Sequence, residues 1–170
     1  VANLCVEAKD KIIGFDIAGP ELSFPPSLFA ESFKKVSESG VNITIHAGEG
    51  DGVSSIIDAL NNGAMRIGHG VRIIEDINDG IIGPTASKII DLQIPLEICI
   101  TSNIHTNMYE SYEAHPISSL IDYGFNVYLN TDNRLMSNTS ISKEIEIAKN
   151  LGISDVDRLL KYSASDSFFD

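Results

Sequence analysis

Five short apolar segments recur at a steady interval along the 170 residues: IIGFDIA (12–18), VNITIHA (41–47), MRIGHG (65–70), LEICIT (96–101) and NVYLNT (126–131). That rhythm constrains the fold more than any other feature, because most of the gaps hold one helix-period stripe. Leu28, Phe29, Phe33 and Val36 form the first stripe and stop at Gly40, while Ile56, Ile57 and Leu60 form the next and stop near Gly63. Ile89 and Ile90 mark a third after Gly83-Pro84, and Ile117, Leu120 and Ile121 a fourth ending at Gly124. Past the last strand, Ile141, Ile145, Ala148 and Leu151 give a fifth, and Ser154 and Asp157 read as a further helix start. Strand, helix, strand at this spacing means βα units and a parallel sheet. Near-continuous apolar strands predict a sheet covered on both faces.

The polar residues cluster. Asp16, His46, Glu49, His69, Thr101, Ser102, Asn103, Asp132 and Asn133 all fall at or just beyond the C-terminal ends of these strands. That edge is the catalytic face of a (β/α)₈ barrel, and an open doubly wound sheet uses the same edge. The count separates the two. A full barrel needs eight units and typically about 250 residues, whereas this chain has five units and begins with eleven residues that read as the tail of a preceding helix. The expected fold is therefore α/β, a parallel TIM-type barrel present in part, with residues 1–170 as a single domain. Its first and last strands would lack neighbours, so the chain is not expected to behave as a stable free monomer.

Composition narrows the partners. Twelve Lys+Arg against 24 Asp+Glu leave a net charge of −12, a field that repels nucleic acid and phosphorylated metabolites. No apolar run approaches the roughly 20 residues of a membrane span. The opening VANLCVEAKDK has no basic region ahead of an apolar core. Cys5 and Cys99 form no CxxC pair and read as core residues in a reducing, cytoplasmic compartment. GEGDG (48–52) has the look of a phosphate loop, but it carries two carboxylates and no nearby cation, so that reading is rejected.

A histidine at one strand end (His46), a second at the next (His69) and an aspartate at the last (Asp132) can converge on one ion. Imidazole and carboxylate are ligand types that zinc accepts, and catalytic zinc keeps one position open for water. Glu49, three residues past His46, is close enough to give or take a proton in the same pocket. The bland reading of any one of these, a hydrogen-bonded structural histidine, weakens when three of the five strand ends carry His or Asp.

The ordered set GFDIAGPE, HAGE, RIGHG, CITSN and LNTDN, with AHPISSLIDYG before the last, resembles the adenosine deaminase family from about Lys11 to Phe168. The resemblance implies a (β/α)₈ barrel of which this chain holds strands four to eight. It also implies one Zn²⁺ per site and hydrolysis of adenosine (and deoxyadenosine) to inosine and ammonia. On that pattern His46 and Asp132 are metal ligands, and Glu49 is the acid that protonates purine N1. His69 orients and helps activate the water, and the Gly19 N–H meets purine N3. Asp16 reads as either a support for a ligand or a helix-start acceptor. Thr101, Ser102 and Asn103 read as supports for His69 or as turn residues. His115, before Pro116, reads as setting a helix start, and His105 as a residue of the pocket rim.

The chain departs from the family pattern in three places. The His-x-His of the first strand is absent, so a missing N-terminal half-barrel is expected, and the isolated chain is expected to be inactive and to bind zinc weakly. Thr131-Asp132-Asn133 stands where many members have Thr-Asp-Asp; Asn133 would meet purine N7, and an amide donates there without needing to be protonated. Ile100 stands where a proline is common. The cytidine-type signature, HxE then PCxxC, is missing. The rivals are an adenine deaminase of the same superfamily and a non-catalytic remnant without the His-x-His ligands. A nucleotide deaminase ranks last, because only Arg66, Arg72 and Arg134 lie near strand ends.

Overall fold

The computed structural model describes residues 1–161, 166 and 168. Its main sheet is built from β1 (Gly14–Ile17), β2 (Asn42–Ala47), β3 (Arg66–His69), β6 (Leu96–Ile98) and β7 (Val127–Leu129), in that spatial order. Every pairing in it is parallel. The five strands are the five apolar segments, and they run side by side without closing. Among the described residues β1 and β7 are paired on one side only, as the sequence predicted for a part-barrel.

Seven α-helices accompany them among the described residues: α1 (Ala2–Glu7), α2 (Ala30–Glu38), α3 (Val53–Asn61), α4 (Pro84–Asp91), α5 (Ile100–His105), α6 (Ile117–Asp122) and α7 (Ile141–Asn150). α3 buries Ser55, Ile56 and Ala59, a spacing of one, three and four that makes a single stripe. α4 starts on Pro84, and its free N–H groups at Thr85 and Ala86 both donate to Asp76 Oδ2, at 2.9 and 2.8 Å. α7 starts on Ser140, whose hydroxyl accepts from Lys143 N.

The sheet corrects the expectation of two apolar faces. Ile43, Ile45, Ala47, Ile67, Leu96, Ile98, Val127 and Leu129 are buried in the core. The residues between them, Thr44, His46, Arg66, Glu97 and Tyr128, are polar. Successive side chains point to opposite faces, so one face is apolar and the other polar. On the polar face His46, Gly68, Glu97 and Tyr128 form one row in register across four strands. Arg66 pairs there with Glu97. The inner wall of a barrel can carry such a polar row when its charges are matched.

Other local readings shift. LEICIT stops being a strand at Ile98, and helix α5 starts at Ile100, so Thr101, Ser102 and Asn103 are helical and buried rather than turn residues. The last segment forms a 3₁₀ turn, Arg158–Leu160, with Arg158 N donating to Asp155 Oδ1; neither Ser154 nor Asp157 caps it by a side chain. A two-stranded hairpin, β4 (Ile77–Asn78) with β5 (Ile81–Ile82), turns on Asp79-Gly80, both at positive φ. The Asp-Gly pair was a legible signal for it. Met65 and Met136 are 50% and 77% exposed. Cys5 and Cys99 are buried and free, as expected, and burial pushes the Cys99 thiol well above its usual range.

Candidate active site

The predicted residues do gather at the C-terminal edge. A cavity of about 200 Å³ is lined by His46, Gly68, His69, Glu97, Cys99, Asn130, Thr131 and Asp132. Beside it an apolar cavity of about 180 Å³ is lined by Ile17, Gly19, Pro20, Phe24, Phe29 and His46, among others. His46 belongs to both. Its ring meets that of His69 edge to face, with centroids 5.1 Å apart.

The half-buried imidazole of His46 faces Asp16, with Nδ1 3.3 Å from Oδ1. Burial opposes charge on this ring, but the Asp16 bond and the charges of Asp16, Glu97 and Asp132 outweigh it and raise the pKa. In the neutral form Nδ1–H donates to Asp16, which leaves Nε2 as a free lone pair. The side-chain partner of Asp16 is therefore the His46 ring. Gly68 makes room for the ring: a Cβ there would sit 2.7 Å from His46 Nδ1.

His69 ends β3 at φ 61° and is buried. Burial lowers its pKa, the Glu49 charge resists, and His46 pushes it lower again. Its 3.5 Å approach to Glu49 is therefore a contact of a neutral ring rather than an ion pair. Asp132 also sits at positive φ, 54°, and Ser102 Oγ donates to its Oδ2 at 2.7 Å. Left-handed backbone at two non-glycine strand ends is strain of the kind that collects at functional sites. Gly19 has φ 151° and open space where a side chain would begin. Asn133 is exposed, and its Oδ1 accepts from Met136 N.

Of the three residues expected behind His69, only Asn103 reaches it, with Nδ2 3.2 Å from Nδ1. Ser102 serves Asp132 instead, and Thr101 N donates to the buried carboxylate of Glu144. His105 is exposed at the end of α5.

Glu21 is the residue that sequence reasoning missed. Its buried carboxylate accepts from the backbone N–H groups of Gly48, Glu49 and Asp51 at 2.9–3.0 Å and from Ser55 Oγ at 3.2 Å. The glycine-rich turn after β2 does form an N–H cradle, and the chain's own carboxylate fills it. The signal was present: a run of small residues leaves its N–H groups without partners, and GPE supplies an acid at the neighbouring strand end.

His115 sets the start of α6, accepting from Ile117 N on Nδ1 at 3.2 Å. Burial pushes its pKa down from 6.5 to about 4. The unfolded chain takes this proton near pH 6.5 and the folded chain only near 4, so between those values the unfolded state binds more protons. Folding stability should therefore fall as pH drops through that window, by about 3 kcal/mol from this group. Urea unfolding at pH 7 and pH 4.5 should show the loss, and His115→Gln should show a smaller one. An equal loss in both proteins would contradict the assignment.

Both proposed metal ligands are held with an atom to spare, Nε2 of His46 and Oδ1 of Asp132. Their donor chemistry fits zinc. Among the described residues, however, no group of three His, Cys, Asp or Glu side chains could hold an ion. The fit is of kind, and it covers part of a site.

A family model described as adenosine deaminase matches residues 1–170. The chain is 48% identical over 153 residues to adenosine deaminase 1 of Streptomyces coelicolor, covering 86% of this chain and 39% of that protein. It is 43% identical over 152 residues to an adenosine deaminase of Mycobacterium ulcerans, covering 85% and 42%. Thus it spans well under half the length of these relatives. Among solved structures, the N6-mAMP deaminase of Arabidopsis superposes with a TM-score of 0.82 at 27% identity, over 99% of this chain and 49% of that one.

Proposed function

The chain belongs to the adenosine deaminase family, and on that footing we propose that it supplies part of a site for the hydrolytic deamination of adenosine and deoxyadenosine. The observation that carries this reading is the convergence of His46, His69, Glu49 and Asp132, four residues from three strand ends, around one cavity edge. We assign residues 1–170 to the C-terminal part of a (β/α)₈ barrel, strands four to eight, completed by an N-terminal half-barrel that carries the His-x-His ligands. The open edges of the sheet and the 39–42% share of the relatives support that assignment.

His46 Nε2 and Asp132 Oδ1 would hold Zn²⁺, which when bound lowers the pKa of a water toward about 7 and so supplies a nucleophile at neutral pH. Asp16 and Ser102 fix the two donors. Glu49 gives a proton to purine N1, which makes C6 electrophilic, and His69 orients the attacking water beside it. The Gly19 N–H meets N3. The apolar wall of Phe24 and Phe29 excludes water from the purine. Two free, buried cysteines support a reducing, cytoplasmic setting.

A nucleoside suits the chain better than a nucleotide, since of the three arginines near strand ends Arg66 is committed to Glu97 and Arg72 to Glu75, which leaves the exposed Arg134 to meet a phosphate. The test is turnover of adenosine, adenine and AMP by the completed barrel. Adenosine should lead; a preference for adenine would point to the rival enzyme, and no turnover of any purine to the remnant.

Asn133 offers a sharper check. Its oxygen is occupied by Met136 N, which leaves its amide N–H to donate to N7 in this reading. Leaving a buried acceptor unpaired costs about 1–3 kcal/mol, so Asn133→Ala should lower kcat/KM for adenosine about ten- to a hundredfold. Against 7-deazaadenosine, which has carbon at that position, the same change should do little. Equal harm to both substrates would mean that Asn133 only holds the turn beside Asp132.

A further inference from the structure

We infer that Asn103, clamped by His115, is the positioning residue that decides which atoms Glu49 and His69 turn toward the substrate, a role that rests on the deaminase reading and deepens it. The chain of bonds starts at a backbone amide, which has no freedom to reverse. Ile117 N–H donates to His115 Nδ1, so the neutral ring carries its hydrogen on Nε2. That Nε2 lies 3.2 Å from Asn103 Oδ1 and donates to it. The amide orientation is thereby fixed, with oxygen toward α6 and nitrogen toward the cavity.

The fully buried Asn103 has two hydrogens on Nδ2 and two acceptors to meet. Glu49 Oε1 lies at 2.9 Å and His69 Nδ1 at 3.2 Å. A flipped amide would set Oδ1 against the Glu49 carboxylate and NH₂ against the His115 N–H, two repulsive contacts in place of three bonds. Thr106 Oγ1 lies 3.3 Å from the same Glu49 oxygen. With Oε1 accepting, the proton that Glu49 transfers sits on Oε2. With Nδ1 accepting, neutral His69 carries its hydrogen on Nε2. One amide, 54 residues from Glu49 and 34 from His69 in sequence, sets both.

Long-range ¹⁵N–¹H correlation spectra of the imidazoles in the full chain test this directly. His69 and His115 should both show the Nε2–H tautomer. In Asn103→Asp the carboxylate only accepts, so His69 should switch to Nδ1–H; in His115→Gln, whose amide still donates to Asn103, His69 should stay as it is. His69 found as Nδ1–H in the unmutated chain, or unmoved in Asn103→Asp, overturns the relay. In the completed barrel Asn103→Asp should lower kcat for adenosine about ten- to a hundredfold with KM little changed, and His115→Gln should recover most of the rate. A tautomer switch with unchanged kcat would deny Asn103 its part in the reaction. An unmutated barrel that deaminates nothing would sink the deaminase reading instead, and the spectra would stand apart from it.

Discussion

Glu49→Gln in the completed barrel should lower adenosine turnover by at least about 10²–10⁴-fold while zinc content stays near normal. Proton transfer by a placed residue is commonly worth that factor. The substitution is close to isosteric, and the geometry explains why the fold should tolerate it. Glu49 Oε1 accepts from Asn103, and an amide oxygen in the same place accepts equally well. Its backbone N–H stays on Glu21, and the turn keeps its cradle. What is lost is the acidic hydrogen on the other oxygen. Metal analysis beside the rate assay separates the roles: if the variant also lost zinc, Glu49 would be a ligand and the acid would have to be sought elsewhere.

His46→Ala should instead lose metal and activity together. The ring offers Nε2 to the cavity because Asp16 holds Nδ1, and its removal takes away a donor together with the group that Asp16 serves. Conserved support of this kind around a metal ligand typically matters 10–100-fold in metal affinity, and the ligand itself matters more. Asp16→Ala should therefore give a milder loss of zinc than His46→Ala. Retention of full zinc by His46→Ala would remove this histidine from the metal site.

The strand ends were legible because two signals coincide there. A short β-forming run stops, and ionisable residues appear where packing has no use for them; His46, Glu49, His69 and Asp132 were found in this way. The bond of Asp16 to His46, 30 residues away, could not be read from the sequence. What the sequence hid is pairing across distance. Glu21 lies 27–34 residues from the groups it binds, and the line from Ile117 through His115 and Asn103 to Glu49 joins three separate segments. No periodicity marks such contacts. Helix α5 was hidden for another reason: LEICIT reads as one apolar strand, while the chain turns into a helix after only three strand residues. That early turn is what buries Asn103 beside His69 and points Ser102 at Asp132. The polar row of His46, Gly68, Glu97 and Tyr128 was likewise masked, because His46, Glu97 and Tyr128 each sit between apolar neighbours.

The central claim is that these residues are one part of a purine-deaminating metal site whose remaining ligands stand on upstream strands. Zinc stoichiometry, measured together with adenosine turnover, tests it most directly when the 170-residue chain is compared with the same chain joined to βα units bearing an His-x-His strand. The chain alone should bind zinc weakly and leave adenosine unchanged, and the joined protein should hold one zinc per chain and release inosine. Normal turnover by the 170 residues alone, or a joined protein that holds its zinc and fails to act on adenosine, would contradict the account.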